Sequence, residues 1–456
     1  MDGTTIAAIS TGLTPSGIGI VRISGNDAFS IIDKVFKTKK NIKVSEGQSH
    51  RAYYGHIVCD DEIIDEVIVL VMRAPHTYTK EDTVEINCHG GIAVMKKILD
   101  TVIRMGAVPA SPGEFTKRAF LNGRIDLSRA EAVMDLISSQ NDFARKNSLK
   151  QLDGSLYNRI CRMREVILEH TAFIEAAIDD PEHYSLDKYG DKLLIDVDKL
   201  INDVDSLLKT FDNGRIITEG IRTVIVGKPN VGKSTLLNDL LGFEKAIVTS
   251  IPGTTRDYIE ESVNLDGITL NLVDTAGIRD ASDEVERIGV SRSFDNISSA
   301  DLIIYVVDLS VPIDKNDEEI ISHIQGRKTI VLLNKTDLDV KANIELIKSK
   351  FDNILFISAK NREGIDELKA SISGMFFEGD LSFNNEIVIT NARHKEQLSL
   401  ALDSLNLVKD SVSKGMPEDF FSIDLLNAYD FLGNIIGASV DEDLIDEIFE
   451  KFCMGK

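Results

Sequence analysis

Eight residues near the middle of the chain carry the side chains and the spacing of a phosphate-binding loop. They read Gly227-Lys228-Pro229-Asn230-Val231-Gly232-Lys233-Ser234, which is the pattern GxxxxGK[ST]. In such a loop the backbone N–H groups surround phosphate oxygens, Lys233 brings positive charge to the β- and γ-phosphates, and the Ser234 hydroxyl binds Mg²⁺. Residues 223–226 predict a strand before the loop, and residues 236–241 predict a helix after it. The dipole of that helix favours a phosphate at its N-terminus.

Three further motifs indicate which nucleotide binds, and each follows an apolar run. They are Asp274-Thr275-Ala276-Gly277, Asn334-Lys335-Thr336-Asp337 and Ser358-Ala359-Lys360. Asp274 is placed to reach the Mg²⁺ shell. Asp337 can accept hydrogen bonds from N1–H and the 2-amino group of guanine. Adenine lacks this pair of donors, and a buried carboxylate left unpaired costs about 3–5 kcal/mol. The four motifs in this order predict a GTPase with a mostly parallel sheet, helices on both faces, and nucleotide at the carboxyl ends of the strands.

The segment between the phosphate loop and the second motif has the composition of a switch region. Thr255 is placed to close over Mg²⁺ when a γ-phosphate is present. Ile278 follows Gly277, where Ras-like enzymes carry a glutamine that orients the attacking water. Glu286 is the best-placed acidic residue to take over that task, and Arg256 is a candidate arginine finger. For both residues the alternative is a solvated charged loop.

Composition limits the classes of protein to which the chain can belong. A chain of 456 residues is too long to fold around a single hydrophobic core, so roughly two to four domains are expected. A net charge of −23 argues against broad, non-specific nucleic-acid binding, which needs a basic surface. The four cysteines are too widely spaced for a zinc module or a disulfide framework, which indicates a reducing compartment and a cytoplasmic protein. No signal peptide or membrane span is predicted.

Apolar periodicity predicts the elements that carry these motifs. Residues 1–118 alternate strand and helix patterns and predict an α+β domain, and residues 216–378 contain the GTPase motifs. The flanks at 119–215 and 379–456 predict one helical domain built from both, so the fold class is multidomain α/β and all-α, with a Ras-like P-loop GTPase domain inserted in the helical one. Ser128 and Glu131 form a predicted capping box. The predicted stripe of a long helix is Leu194, Val197, Ile201, Val204, Leu208 and Phe211.

Blocks along the whole chain resemble the MnmE (TrmE) family of tRNA-modification GTPases. They are GIGIVRISG at 17–25, YTKEDTVE at 78–85, HGG at 89–91, PGEFTKRAFLNGRIDL at 112–127 and FCMGK at 452–456. The resemblance implies an N-terminal domain that binds folate and forms a homodimer. It also implies a flavoprotein partner of the MnmG (GidA) type that carries FAD and completes a heterotetramer. The pair would install an aminomethyl or carboxymethylaminomethyl group on C5 of the wobble uridine of tRNA, using a carbon from tetrahydrofolate.

Site residues follow from the same resemblance, position by position. Arg22, Glu85, Arg124 and Lys456 match contacts to 5-formyl-tetrahydrofolate or a related reduced folate. Asn230, Thr249, Ile251 and Thr254 match groups that bind K⁺ beside the phosphates when two G domains pair. Glu286 matches the glutamate that orients water, which makes Arg256 a switch-loop residue. The predicted GTP contacts are Asn230, Val231, Gly232, Lys233, Ser234, Thr235, Thr249, Ser250, Ile251, Pro252, Gly253, Thr254, Thr255, Asp274, Thr275, Ala276, Gly277, Asn334, Lys335, Asp337, Ser358, Ala359 and Lys360.

Two positions depart from the family pattern, and other functions stay open. Lys80 stands where glycine is common, which is tolerable because its side chain can point to solvent, and Met454 replaces isoleucine at roughly the same volume. Cys453 is either a thiolate that adds to uridine C6 or a structural cysteine. The alternatives to tRNA modification are a ribosome-assembly GTPase, a regulatory GTPase, and a folate-dependent one-carbon transferase that acts alone. Folate binding separates both GTPase alternatives from the favoured function. Dependence on a flavoprotein separates the one-carbon transferase from it.

Overall fold

The computed structural model describes residues 3–39, 42–139, 141–186, 189–211, 214–216, 220–241, 259–265, 268–273, 297–377 and 387–455. The chain divides into two compact units. The first comprises Met1–Met134, Gln151–Val166 and Tyr429–Lys456. The second comprises Asp135–Lys150 and Ile167–Ala428.

Helices occupy both units. In chain order they are α1 (Ala28–Val35), α2 (Ile92–Arg104), α3 (Glu114–Leu121), α4 (Leu127–Ser138), α5 (Asp142–Leu152), α6 (Ser155–Asp179), α7 (Tyr189–Lys209), α8 (Lys233–Leu241), α9 (Lys315–Ile324), α10 (Ile344–Lys348), α11 (Ile365–Phe377), α12 (Ala392–Ser413), α13 (Glu418–Ile436) and α14 (Glu442–Glu450). The helices predicted on both flanks of the GTPase motifs are confirmed.

The first unit contains a seven-stranded sheet in the order β3-β4-β5-β6-β2-β1-β7. Its strands are β1 (Ile6–Ile9), β2 (Ser16–Ser24), β3 (Phe36–Lys37), β4 (Arg51–Cys59), β5 (Glu62–Met72), β6 (Thr83–Gly90) and β7 (Val108–Pro109). All neighbours are antiparallel except β1 and β7, which run parallel. With helices α1 and α2 this is the predicted α+β arrangement.

Alternation of side chains across this sheet separates its core from its candidate site. Val21 and Ile23 on β2 are completely buried and belong to a core that includes residues of α1 and α2. Successive side chains of a strand point to opposite faces. Arg22 therefore lies on the other face, directly opposite Glu85 in the register of β2 and β6. The pleat thus brings together two residues that lie far apart in sequence.

The second unit contains a six-stranded sheet in the order β13-β12-β11-β8-β10-β9. Its strands are β8 (Ile221–Val226), β9 (Ile259–Leu265), β10 (Ile268–Val273), β11 (Leu302–Asp308), β12 (Thr329–Asn334) and β13 (Ile354–Phe356). Only β9 runs antiparallel to its neighbour. The predicted, mostly parallel sheet is therefore confirmed.

Both faces of this sheet are covered, as its continuous apolar strands require. On one face, a core cluster includes Leu236 and Leu240 of α8 and Leu368 of α11. On the other, a second cluster includes Ile321 of α9 and Ile347 of α10. Every residue of β10, β11 and β12 is buried. The phosphate loop and the motif residues that follow β12 and β13 are left at the strand ends, where polar groups can reach solvent.

Two local predictions in the helical flanks were wrong. Helix α4 begins one residue before Ser128, and Asp126 is the residue that caps it. The Asp126 carboxylate accepts from the Arg129 backbone N–H at 3.1 Å and from the Ser128 hydroxyl. An aspartate placed in this way satisfies one of the free N–H groups of the first helical turn. Asp126 therefore caps α4 in place of the predicted Ser128–Glu131 capping box.

The buried stripe of α7 is also shifted from the predicted one. Its fully or nearly buried residues are Leu193, Val197, Leu200, Val204 and Leu207. Val197 and Val204 were predicted correctly, whereas Leu194, Ile201, Leu208 and Phe211 are only half-buried. Helix α7 packs along α12 within the second unit, and Lys409 Nζ lies 2.7 Å from Asp198 Oδ1 at that contact.

Candidate functional site

The phosphate loop connects β8, a central strand of the parallel sheet, to α8. Gly227 has φ +152° and Gly232 has φ +105°, which L side chains rarely adopt. A Cβ on Gly227 would overlap the carbonyl oxygen of Val306, and one on Gly232 would overlap the Asn334 side chain. Both glycines are therefore required by close approach as well as by backbone conformation.

Lys233 lies at the start of α8 with its ammonium inside the loop. Its Nζ donates to the carbonyl oxygens of Gly227 and Lys228, each at 2.7 Å. Ser234 and Thr235 follow in the first turn of the helix and are exposed. A helix N-terminus, a lysine and a hydroxyl on one exposed turn form the chemistry of a phosphate and Mg²⁺ site.

The guanine motif is tied directly to this loop. Asn334, at the end of β12, donates from Nδ2 to the Val231 carbonyl at 2.7 Å, and its Oδ1 accepts from the Ala359 N–H at 3.0 Å. Asp337 is exposed and accepts from the Ser358 hydroxyl at 3.0 Å. The exposed Lys360 follows Ala359. The structure thus brings the predicted base-binding residues together beside the phosphate loop.

Lys335 forms a second tie between the two motifs. Its Nζ donates to the Asn230 carbonyl at 3.0 Å and to the Asp308 carboxylate. Burial by itself raises the pKa of Asp308, but hydrogen bonds from Lys335 and Ser310 outweigh it and lower the pKa. Asp308 is therefore ionised at neutral pH and holds Lys335 over the loop.

Several predicted site residues lie outside the part of the chain that the structure describes. They are Thr249, Ser250, Ile251, Pro252, Gly253, Thr254, Thr255, Arg256, Asp274, Thr275, Ala276, Gly277, Glu286 and Lys456. Their roles stay predictions.

A second cluster lies in the first unit, on the sheet face opposite α1 and α2. Arg22 donates from Nε to Glu85 Oε1 at 2.9 Å, and its second terminal nitrogen lies 2.8 Å from the same oxygen. These two side chains are only 15% and 18% exposed. The guanidinium of Arg22 lies 5.9 Å from the centre of the Tyr78 ring, and that of Arg124 lies 4.7 Å from it. Two of the residues predicted to form one site thus lie over one aromatic ring, and the third, Glu85, pairs with one of them.

The C-terminal tail reaches this cluster. The Gly455 carbonyl accepts from the Ser10 hydroxyl at 3.0 Å and from Arg22 at 3.5 Å. Gly455 has φ +83°, and a Cβ there would overlap the Ile9 carbonyl oxygen. The Cys453 carbonyl accepts from the Gly113 N–H at 3.3 Å, and the Cys453 residue is partly exposed. The residue before Lys456 is therefore fixed next to Arg22.

Sequence reasoning missed Tyr78 and did not anticipate the contacts of Lys80. Tyr78 is partly buried, and its hydroxyl lies 2.9 Å from that of Thr116. Its position between two arginines could not be read from spacing alone. Lys80 is exposed, and its Nζ also donates to the carbonyls of Asn122 and Gly123 at 3.0 Å each. Its φ of +58° is a backbone conformation that glycine adopts at less cost than lysine.

Comparison with known proteins identifies the family. Residues 5–124 match the family model described as the GTP-binding protein TrmE N-terminus, and residues 127–453 match the MnmE helical domain. The chain is 57% identical to the tRNA modification GTPase MnmE of Lachnoclostridium phytofermentans over 456 residues, or 99% of each protein. The chain belongs to the MnmE family of tRNA modification GTPases. MnmE of Acetivibrio thermocellus is 47% identical, again over 99% of both chains.

A solved structure of another GTPase is similar to part of the chain. The crystal structure of Aquifex aeolicus Era bound to GDP and AlF4⁻ is 30% identical over 41% of this chain and 67% of that one, with a TM-score of 0.27. Within the described residues of this MnmE-family chain, no helix is long and apolar enough to cross a lipid bilayer.

Proposed function

We propose that this MnmE-family GTPase couples GTP hydrolysis to modification of the tRNA wobble uridine at C5. It acts in the cytoplasm as a homodimer, in a heterotetramer with an MnmG-type flavoprotein that holds FAD. The product carries an aminomethyl or carboxymethylaminomethyl group whose carbon comes from a reduced folate. One observation carries the proposal: Arg22 and Arg124 meet at the Tyr78 ring, Glu85 pairs with Arg22, and the C-terminal tail reaches the same cluster.

The charges in this cluster suit a reduced folate such as 5-formyl-tetrahydrofolate. Glu85 is oriented by Arg22, so its carboxylate can accept from the donor edge of a pterin ring. Among the described residues Arg124 forms no ion pair, and its exposed guanidinium can bind the carboxylates of the glutamate tail. Lys456 adds a second cation to the tail end of the site. The bound folate would supply the one-carbon unit.

Equilibrium binding of 5-formyl-tetrahydrofolate tests this site. Charged hydrogen bonds contribute about 1.5–3 kcal/mol, so we expect Glu85→Gln and Arg124→Gln each to weaken binding by about 10-fold to 100-fold. Arg104→Gln is the matched control, because Arg104 is an exposed arginine of α2 that pairs with Asp60. Absence of binding to the wild-type protein, or equal affinity in all four proteins, would refute the folate site.

For the GTPase reaction we assign roles to the phosphate loop and the switch residues. Lys233 contacts the β- and γ-phosphates, Ser234 and Thr255 bind Mg²⁺, and Glu286 orients the attacking water. Asn230, Thr249, Ile251 and Thr254 bind K⁺, whose charge replaces an arginine finger when two G domains pair. The exposed position of Asn230 within the loop supports its part in this assignment.

The domain organisation we propose follows the sequence boundaries. Residues 1–118 bind folate and form the dimer, residues 216–378 form the inserted G domain, and residues 119–215 and 379–456 form the helical domain. The two-sheet architecture supports this division, because one sheet is built within residues 6–109 and the other within residues 221–356.

A further inference from the structure

Lys228 is the second residue of the phosphate loop, at a position that the GxxxxGK[ST] pattern leaves free. Its side chain is nevertheless held away from solvent and is only 13% exposed. Its Nζ lies 2.6 Å from Asp317 Oδ2 and 3.0 Å from Asp314 Oδ2. Ordering a lysine side chain costs rotamer entropy, so this pairing must provide a stabilising contact that a solvated lysine would lack.

The surroundings of Asp317 suit it to pair with the Lys228 ammonium. It is 2% exposed and accepts from the Tyr305 hydroxyl at 3.0 Å and the Asp314 N–H at 3.1 Å. Burial raises the pKa of Tyr305, so the tyrosine donates. Asp314 and Asp317 together form the capping box that opens α9. A carboxylate that is almost completely buried needs a paired cation, and Lys228 provides it.

The backbone of Lys228 carries the other half of the connection. The carbonyls of Gly227 and Lys228 are the groups that accept from Lys233 Nζ. Gly227 lies against Val306 with no room for a side chain. Lys228 therefore has two roles. Its side chain is held by α9, and its carbonyl orients Lys233, the phosphate-binding lysine.

The middle of the loop is fixed by different groups. Asn334 and Lys335 of the guanine motif hold the carbonyls of Val231 and Asn230. These two bonds do not hold the first turn of the loop. The Lys228–Asp317 pair holds that turn from the side of α9.

We propose that Lys228 and Asp317 form a positioning pair for GTP hydrolysis. The pair fixes the first turn of the phosphate loop against α9 and thereby sets the position of Lys233. This inference rests on the proposed role of Lys233 at the phosphates.

The test is steady-state GTP turnover by the full chain in KCl, with kcat and KM measured separately. The proteins are wild type, Lys228→Met, Asp317→Asn and the double variant. A misplacement of about 1 Å can cost about 100-fold in rate, so we expect each single variant to lose about 10-fold to 100-fold in kcat. The double variant should be no slower than the slower single variant, because both changes remove one shared contact.

Controls separate positioning from simple destabilisation. Tyr305→Phe removes a hydrogen bond from the same buried carboxylate but keeps the ion pair, and its kcat should stay within about twofold of wild type. Lys228→Arg keeps the charge and should recover most of the activity that Lys228→Met loses. Where a single variant does not fold, the double variant and Lys228→Arg still give a result, because both leave no unpaired charge at Asp317.

The outcomes are distinct. Wild-type kcat in the single variants, or in a folded double variant, would overturn the positioning role, and so would multiplicative losses in the double variant. Absence of turnover in the wild-type protein would count against the proposed GTPase site itself.

Discussion

Lys80 combines a strained backbone with a favourable side chain, and the two effects can be separated. A non-glycine residue with φ near +58° costs on the order of 1–2 kcal/mol. The two hydrogen bonds from Nζ to the carbonyls of Asn122 and Gly123 offset that cost, at about 1 kcal/mol each or less for an exposed group.

We therefore predict an order of stability at position 80. Lys80→Ala keeps the strain and loses the bonds, so it should be the least stable. Lys80→Gly loses the bonds but relieves the strain, and should be more stable than Lys80→Ala by about 1 kcal/mol. Calorimetric melting of the three proteins checks the order. If the alanine variant melts with or above the glycine variant, the strain at this position is not significant.

Single residues were predictable where the chemistry is local. The phosphate-loop glycines and Asn334 could be assigned from motifs, because a motif keeps all its groups within a few residues. Tyr78 and the Lys228–Asp317 pair could not, because their partners come from distant elements. Lys228 and Asp317 meet only because β11 and α9 pass beside the loop.

Helices α6 and α7 share a buried polar contact that responds to pH. His170 of α6 lies 2.6 Å from the Tyr189 hydroxyl through Nδ1 and 3.3 Å from Asp196 Oδ2 through Nε2. Burial raises the pKa of Tyr189 to about 12, so this hydroxyl stays protonated and donates to the ring. Burial also lowers the pKa of His170, despite the opposing effect of Asp196.

This contact predicts a loss of stability on the acid side. The unfolded histidine takes up its proton near pH 6.5, whereas the folded one does so only at lower pH. Stability from this group is therefore complete above pH 6.5 and falls as the pH drops towards the folded pKa. We expect His170→Asn to reduce the decrease in the urea midpoint between pH 7.5 and pH 5.5. An unchanged decrease in the variant would exclude His170 as its source.

At the scale of elements, the sequence predicted where helices occur better than it predicted which face of a helix is buried. The buried stripe of α7 was displaced because apolar residues occur in adjacent pairs, such as Leu193 with Leu194 and Leu200 with Ile201. Periodicity cannot choose between two neighbours that are both apolar. The contact with α12 makes the choice, and α12 lies far away in the sequence.

At the scale of the whole molecule, the proposed K⁺ site predicts that two chains cooperate. We expect GTP turnover per chain in KCl to rise with protein concentration, and to be about tenfold or more faster than in NaCl, because the cation does the work of an arginine finger. Asn230→Lys should abolish the difference between the salts.

Asn353→Lys is the matched control for this prediction, because it adds the same charge at an exposed position of the same unit. It should retain the K⁺ response. Equal turnover in both salts at every protein concentration would argue for an external activator or for Arg256.

The contact between α7 and α12 also constrains how the protein is made. About 180 residues separate the end of α7 from the start of α12. At roughly 5–20 residues per second, a ribosome needs on the order of 10–40 seconds to synthesise them. During that time the apolar stripe of α7 has no α12 to cover it, so the nascent chain exposes a surface that chaperones recognise.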